Sequence, residues 1–132
     1  MHEWALAEAI VDSSLKLLQS KGKEKVDNIF IKVGELQNID LEVFDFAIKE
    51  LIKGTPIENS KINYETEEAI LKCNNCGTKW KFKDSFSKLN DDEKEAIHFI
   101  PETLHIYIRC PNCSSVDFDI EIGRGIYLED II

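Results

Sequence analysis

Two pairs of cysteines constrain this chain more than any other feature of its sequence. Cys73 and Cys76 form one C-x-x-C motif, and Cys110 and Cys113 form a second. This spacing turns two thiolates toward one ion, so the two motifs together supply the four ligands of a tetrahedral zinc site. A closed site of four thiolates leaves no coordination position for a substrate. We therefore predict that the zinc is structural and that its segment folds as a zinc ribbon.

The residues beside the two motifs indicate how this ribbon is built. Gly77 directly follows the first motif and favours the tight turn of a metal-binding knuckle. Ile70 and Leu71 precede the first motif, and the apolar segment 106–108 precedes the second. Because both segments contain residues that favour strands, we predict that they are extended arms that carry the knuckles.

An insertion separates the two knuckles. The stretch from residue 77 to residue 109 contains 33 residues, whereas the common paired pattern has roughly 15–20. Within it, Asn90 and Glu93 have the spacing of a capping box and predict the start of a short helix. Pro101 is then expected to break the chain. We interpret the stretch as an ordered but locally mobile addition to the zinc-binding module.

Composition and charge narrow the functional classes. The chain carries 16 basic and 25 acidic residues, a formal charge of −9. Nucleic acid and anionic membranes repel an acidic protein, so neither is expected as a partner. No apolar run approaches the roughly 20 residues of a membrane span, and the charged N-terminal sequence lacks a signal-peptide pattern. We expect a cytoplasmic protein.

The expected compartment also bears on the interpretation of the cysteines. In the reducing cytosol, thiolates bound to a metal are favoured over disulfides. Unlinked surface thiol pairs, a redox-active disulfide and an iron site are the alternatives to zinc. A redox function needs one C-x-x-C motif, whereas two motifs complete a tetrad, which favours structural zinc.

The sequence outside the cysteine region predicts alternating helices and strands. Apolar residues recur at helical spacing over residues 4–21 and alternate as in a strand over residues 26–33. Asp40 is a candidate cap for a second helix. Residues 61–67 and 116–122 again alternate as strands do.

This order of elements predicts the fold class and the domain boundaries. We expect an α/β (α+β) fold in which a small sheet carries two helices on one face. Because the last alternating run follows the cysteine region, the zinc-binding domain, residues 68–116, is predicted to be inserted. The α/β domain is then discontinuous and comprises residues 1–67 and 117–132.

The N-terminus is a candidate site for a second metal. The sequence opens with Met1, His2 and Glu3. A terminal amine, the next backbone amide nitrogen and the imidazole of His2 can chelate one ion through two fused rings, and such planar nitrogen ligation selects nickel(II) or copper(II). A solvated histidine without a ligand role is the alternative, and the spacing by itself does not decide between them.

A family resemblance adds to this pattern. The opening Met1-His2-Glu3, the segment Val33-Gly34-Glu35-Leu36 and the two cysteine pairs together resemble the hydrogenase nickel-incorporation family, HypA/HybF. The resemblance covers nearly the whole chain.

The resemblance implies a nickel metallochaperone that delivers nickel to the large subunit of [NiFe]-hydrogenase. It implies cooperation with a nucleotide-hydrolysing maturation protein of the HypB type. His2 is then the principal nickel ligand, and Met1 and Glu3 contribute main-chain nitrogens. Zinc is bound by the four cysteines, namely Cys73, Cys76, Cys110 and Cys113.

His98 is a further candidate nickel ligand, because it would complete the site if the zinc module folded over the N-terminus. The alternative is a partly buried histidine in an apolar segment. Three functional classes stay open: a nickel metallochaperone, a zinc-ribbon interaction module without nickel transfer, and a small enzyme. The enzyme is least supported, because we find no nucleophile with a matched base and no nucleotide-binding loop, and we predict no catalytic residues.

Overall fold

The computed structural model describes residues 2–132, so the predicted ligand Met1 lies outside the described part. In chain order its helices and strands are α1 (His2–Ser20), β1 (Asn28–Gly34), α2 (Leu41–Leu51), β2 (Lys61–Glu67), β3 (Ile70–Cys73), β4 (Lys79–Lys81), α3 (Phe82–Phe86), α4 (Asp91–Phe99), a 3-10 helix (Pro101–Thr103), α5 (Leu104–Tyr107), β5 (Phe118–Ile122) and β6 (Ile126–Ile131). The mixed α/β fold class is confirmed.

The chain divides into two compact units. The first contains the residues up to Val33, with Ile39–Glu65 and Ile126–Ile132. The second contains Gly34–Asn38 and Thr66–Gly125.

In the first unit, two helices and a sheet share one core. The strand order is β2-β1-β6, and β1 pairs with β6 in the antiparallel direction. Ile29 and Ile31, which alternate along β1, are buried in one cluster with side chains from both helices. Asp40 caps α2, because its carboxylate accepts the backbone N–H groups of Glu42 and Val43 at 3.0 and 3.3 Å.

The second unit is built on another three-stranded sheet. Its strand order is β4-β3-β5, and β3 pairs with both neighbours in the antiparallel direction. The predicted capping box is present: the Asn90 side chain accepts the N–H of Glu93, and the Glu93 carboxylate accepts the N–H of Asn90. The core comprises buried apolar side chains from the sheet, from the short helices and from segments between these elements, namely Leu36, Ala69, Leu71, Phe82, Ile97, Leu104, Ile108 and Phe118.

The strand predicted at residues 116–122 pairs differently from our expectation. It forms β5, in which Phe118 lies opposite Cys73 and Ile120 lies opposite Leu71. β5 therefore belongs to the unit that holds the cysteines, and β6 is the C-terminal strand that joins the first sheet. The alternation of residues identified a strand correctly, but alternation does not specify the strand with which it pairs.

The extended arm predicted at residues 106–108 is wrong for residues 106 and 107, and only Ile108 has an extended backbone. Leu104–Tyr107 is helical, and Leu104 and Ile108 are buried whereas Ile106 is 70% exposed. Burial four residues apart is the period of a helix. The 3-10 helix starts at Pro101, because proline suits the first position of a helix. It leads directly into α5, which starts at Leu104.

The segment from Gly34 to Leu36, at the end of β1, packs closely on two other backbones of the second unit. The N–H of Gly34 donates to the carbonyl of Gly125 at 2.8 Å, and the N–H of Leu36 donates to the carbonyl of Gly123 at 2.8 Å. The Glu35 carboxylate accepts the N–H of Ala69 at 2.8 Å. A Cβ atom at Gly34 would lie 2.3 Å from the carbonyl oxygen of Gly123. The absence of a Cβ at Gly34 and the carboxylate of Glu35 are therefore both needed for these contacts.

We expect Gly34→Ala to lower the free energy of unfolding by about 3 kcal/mol, because the added Cβ forces two hydrogen-bonded backbones apart. The matched control is Gly125→Ala, whose Cβ meets nothing within 4 Å and which should change stability by about 1 kcal/mol or less. Urea unfolding followed by circular dichroism measures both. Equal effects of the two substitutions would contradict the close-packing explanation.

Candidate metal centre

The structure brings the four predicted cysteines together. Their sulfur atoms all lie within 4.8 Å of one another. Cys73 and Cys113 have sulfurs 3.5 Å apart, and those of Cys76 and Cys110 are 3.6 Å apart. Zinc–sulfur bonds of about 2.3 Å give a tetrahedron with edges of about 3.8 Å, whereas a disulfide needs about 2.0 Å. The four free thiols therefore fit a tetrahedral zinc ion in size and in donor type.

The first C-x-x-C motif forms a tight turn at the end of β3. The carbonyl of Cys73 accepts the N–H of Gly77 at 3.0 Å, and the N–H of Cys73 donates to the carbonyl of Thr78 at 2.9 Å. Gly77 has φ +78°, in the left-handed region that glycine adopts without steric cost. The predicted role of this glycine in a knuckle is thus confirmed.

The second motif repeats this turn with a serine in place of the glycine. The carbonyl of Cys110 accepts the N–H of Ser114 at 2.9 Å, and the N–H of Cys110 donates to the carbonyl of Ser115 at 2.9 Å. Ser114 has φ +63°, which is costly for a residue with a Cβ atom. Both knuckles therefore have the same hydrogen-bonding pattern, and the second stores backbone strain.

Backbone N–H groups point at the first sulfur of each motif. Cys73 receives those of Asn75 and Cys76 at 3.4 and 3.5 Å, and Cys110 receives that of Asn112 at 3.4 Å. Hydrogen bonds to an ionised acceptor are stronger than neutral ones. These contacts favour the thiolate form that a metal requires.

Two asparagine side chains reach across from one knuckle to the other. Asn75 donates from its amide to the sulfur of Cys113 at 3.4 Å. Asn112 acts on the other knuckle in turn, because its side chain lowers the pKa of the Cys76 thiol. The sequence analysis missed both residues, although asparagine at the third position of both C-x-x-C motifs was a visible signal.

These hydrogen bonds alter the acidity of the thiols. The pKa of Cys76 is lowered to about 5, chiefly by the Asn112 amide and next by the Thr78 hydroxyl. The pKa of Cys113 is lowered chiefly by the Asn75 amide. At Cys73 the backbone N–H of Cys76 favours the thiolate, but burial and neighbouring thiols outweigh it and raise the pKa to about 11. Metal binding must therefore displace a proton from Cys73 at neutral pH.

His2 and Glu3 lie in the first turn of α1. His2 is the first residue of that helix and is exposed, whereas we had expected the helix to begin at Trp4. The Glu3 carboxylate accepts the N–H of Asp40 at 3.1 Å. The first four N–H groups of a helix have no acceptor within it. Acceptors for these groups therefore come from outside the helical hydrogen-bond ladder.

His98 belongs to the second unit, on α4. Its side chain is exposed, and its ring makes a T-shaped contact with Phe99 at a centroid distance of 5.4 Å. It also lines a cavity of about 150 Å³ with residues of Gly34–Asn38, α3 and α4. His105, by contrast, is half-buried and lies against Phe118 with a ring-centroid distance of 4.4 Å.

The sequence matches one protein family along its whole length. Residues 1–132 match the family described as "Hydrogenase/urease nickel incorporation, metallochaperone, hypA". The chain belongs to the HypA family.

Relatives and solved structures agree with this assignment. "Hydrogenase maturation factor HypA" of Thermococcus sibiricus is 48% identical over 131 residues, which cover 99% of this chain and 95% of that protein. The protein of the same name from Pyrococcus abyssi is also 48% identical, with coverage of 99% and 94%. The solution structure of the "Ni metallochaperone HypA from Helicobacter pylori" has a TM-score of 0.69 at 15% identity, over 98% of this chain and 94% of that one, and shares the fold. No helix among residues 2–132 of this HypA-family chain is long and apolar enough to cross a membrane.

We expect Ser114→Gly to raise the free energy of unfolding of the second unit by about 0.5–1 kcal/mol, because glycine removes the strain at a positive φ. Gly77→Ala makes the opposite change at the equivalent position of the first knuckle, where a Cβ meets nothing within 4 Å. It should destabilise by about 1 kcal/mol through backbone conformation alone. Urea unfolding of the zinc-loaded variants measures the free energy of unfolding of each. If both substitutions change it in the same direction, the explanation by backbone strain is contradicted.

Proposed function

We propose that this chain is a nickel metallochaperone that binds nickel at its N-terminus and delivers it to the large subunit of [NiFe]-hydrogenase. The observation that carries this proposal is the HypA-family match over the whole chain. The relatives named hydrogenase maturation factors support hydrogenase as the destination. We assign no catalytic step to the chain.

In this proposal, His2 is the principal nickel ligand, and Met1 and Glu3 supply main-chain nitrogens. The exposure of His2 supports this role, because the imidazole is accessible to a nickel ion and to a receiving protein. Planar nitrogen ligation suits nickel(II). His98 is the proposed additional ligand, and its exposure is likewise compatible with coordination.

The proposed resident metal is zinc, bound by Cys73, Cys76, Cys110 and Cys113. The sulfur geometry and the four-thiolate donor set support this choice. When bound, zinc supplies cross-linking between the two knuckles. The proposed partners are a nucleotide-hydrolysing protein of the HypB type and the hydrogenase large subunit, and the proposed compartment is the reducing cytoplasm.

We expect His2→Ala to abolish high-affinity nickel binding in untagged protein while the circular dichroism spectrum and the zinc content stay unchanged. His2 is exposed and contributes nothing to the buried core of the first unit. Nickel affinity of the unsubstituted chain should fall as the pH falls, because protons compete for the ligand nitrogens.

Isothermal calorimetry with nickel measures both effects, with His98→Ala as the matched histidine variant. A His2→Ala protein that retains the parental nickel affinity would favour the alternative, a zinc-ribbon interaction module without nickel transfer. Equal nickel affinities and absorption spectra for His98→Ala and the parent protein, alone and with the nucleotide-hydrolysing partner, would remove His98 from the ligand set.

We expect about one zinc ion per chain, as the single tetrad predicts. Cys110→Ser should lose this zinc and destabilise the second unit far more than the first, because the binding free energy of a structural zinc is largely folding free energy. Elemental analysis measures the zinc, and amide hydrogen exchange reports on each unit separately. Absence of zinc from protein purified without chelators would refute the assignment.

A further inference from the structure

The four cysteine residues differ in their exposure to solvent. Cys73 and Cys110 are only 1% and 2% exposed. Cys113 is half-buried and Cys76 is exposed. A dissolved oxidant therefore meets the Cys76 sulfur more readily than the other three. Zinc ligation holds sulfur as the thiolate, which is the form that hydroperoxides oxidise.

The sulfur of Cys110 is placed to react with an oxidised Cys76. The two sulfurs lie 3.6 Å apart, across the two knuckles. The other short distance joins Cys73 to Cys113, and neither of these residues is the most exposed one.

We propose that Cys76 is an oxidation site for hydroperoxides and that Cys110 completes a disulfide with it, which releases zinc. The inference rests on the proposed zinc occupancy and not on nickel binding. It adds a peroxide-sensitive modification site to the four-cysteine centre, whose proposed role is otherwise structural.

The reaction has two steps. The Cys76 thiolate attacks one peroxide oxygen, the O–O bond breaks, and a sulfenic acid and a hydroxide ion form. The Cys110 thiolate then attacks the Cys76 sulfur, so that the S–S bond forms, the S–O bond breaks and a second hydroxide leaves. The two thiolates lose two electrons and hydrogen peroxide gains them. Cys73 and Cys113 remain as thiolates, and two ligands no longer form the closed tetrad that zinc requires.

Asn112 is the residue that we expect to control this reaction. Hydrogen bonding by its side chain lowers the pKa of the Cys76 thiol. Such a bond withdraws electron density from a thiolate and lowers its nucleophilicity. Asn75 makes the corresponding contact with Cys113 at 3.4 Å and therefore provides a matched control.

The test uses the full chain, loaded with zinc and assayed for zinc before treatment with hydrogen peroxide. A chromogenic chelator follows zinc release, and N-ethylmaleimide then blocks the remaining thiols. Trypsin separates the motifs, because cleavage after Lys72, Lys79, Arg109 and Arg124 yields peptides 73–79 and 110–124. We expect these two peptides to be cross-linked and to carry N-ethylmaleimide on Cys73 and Cys113. The cross-link should form at the same rate as zinc is released.

The asparagine variants test the assigned site further. Asn112→Ala should accelerate zinc release several-fold, whereas Asn75→Ala should change the rate less. A disulfide within either peptide, a Cys73–Cys113 cross-link, a first sulfenic acid trapped by dimedone on Cys113, or stable zinc under peroxide would overturn the proposal. Equal acceleration by the two variants would also overturn it. Protein that contains no zinc at the outset would instead refute the proposed zinc function itself.

Discussion

The thiolate tetrad joins two chain segments that are 33 residues apart, and the second unit depends on this junction. Its sheet has three short strands, and β4 contains three residues. A small core of this kind supplies limited stability by itself. Cys73 and Cys110 are buried beside that core, so a metal that binds both sulfurs connects the end of β3 to the chain that follows α5. Binding of the proposed zinc is therefore expected to be coupled to the folding of this unit.

The first unit obtains its stability in a different way. Its core combines two helices of 19 and 11 residues with one face of a sheet, and its described residues need no metal to fill that core. The exposed His2 lies at the solvent end of α1 rather than on its buried face. In the proposed function, nickel can therefore enter and leave without disturbing the core.

Local sequence patterns predicted the helix ends and turns well where a pattern is compatible with only one local structure. Asp40 caps α2, Asn90 and Glu93 form a capping box, and Gly77 adopts a positive φ. The cysteine spacing predicted the tetrad for the same reason, because two C-x-x-C motifs converge on one ion. A Met-His-Glu opening predicts the chemistry of its donors but not its ligand geometry, and Met1 lies outside the described residues.

The unpredicted features depend on long-range contacts. The partner of β5 could not be read from alternation, since alternation shows which residues share a face but not the strand with which they pair. At residues 104–108, helical burial prevailed over the strand preference of Ile106 and Tyr107 because Leu104 and Ile108 both enter the core. The two asparagine contacts require the knuckles to face each other, and that arrangement exists only after folding.

The two proposed metal sites differ in donor type, and this difference allows one chain to separate two divalent ions. Four thiolates arranged as a tetrahedron suit zinc, whereas amine, amide and imidazole nitrogens in a plane suit nickel(II). Two of the four sulfurs are buried, so the zinc site is closed on one side, while the His2 imidazole is exposed. An exchanging metal needs open access and a resident metal needs a closed ligand set. In the proposed function, transfer therefore belongs to the N-terminus, where His2 is exposed, and structural support belongs to the cysteines.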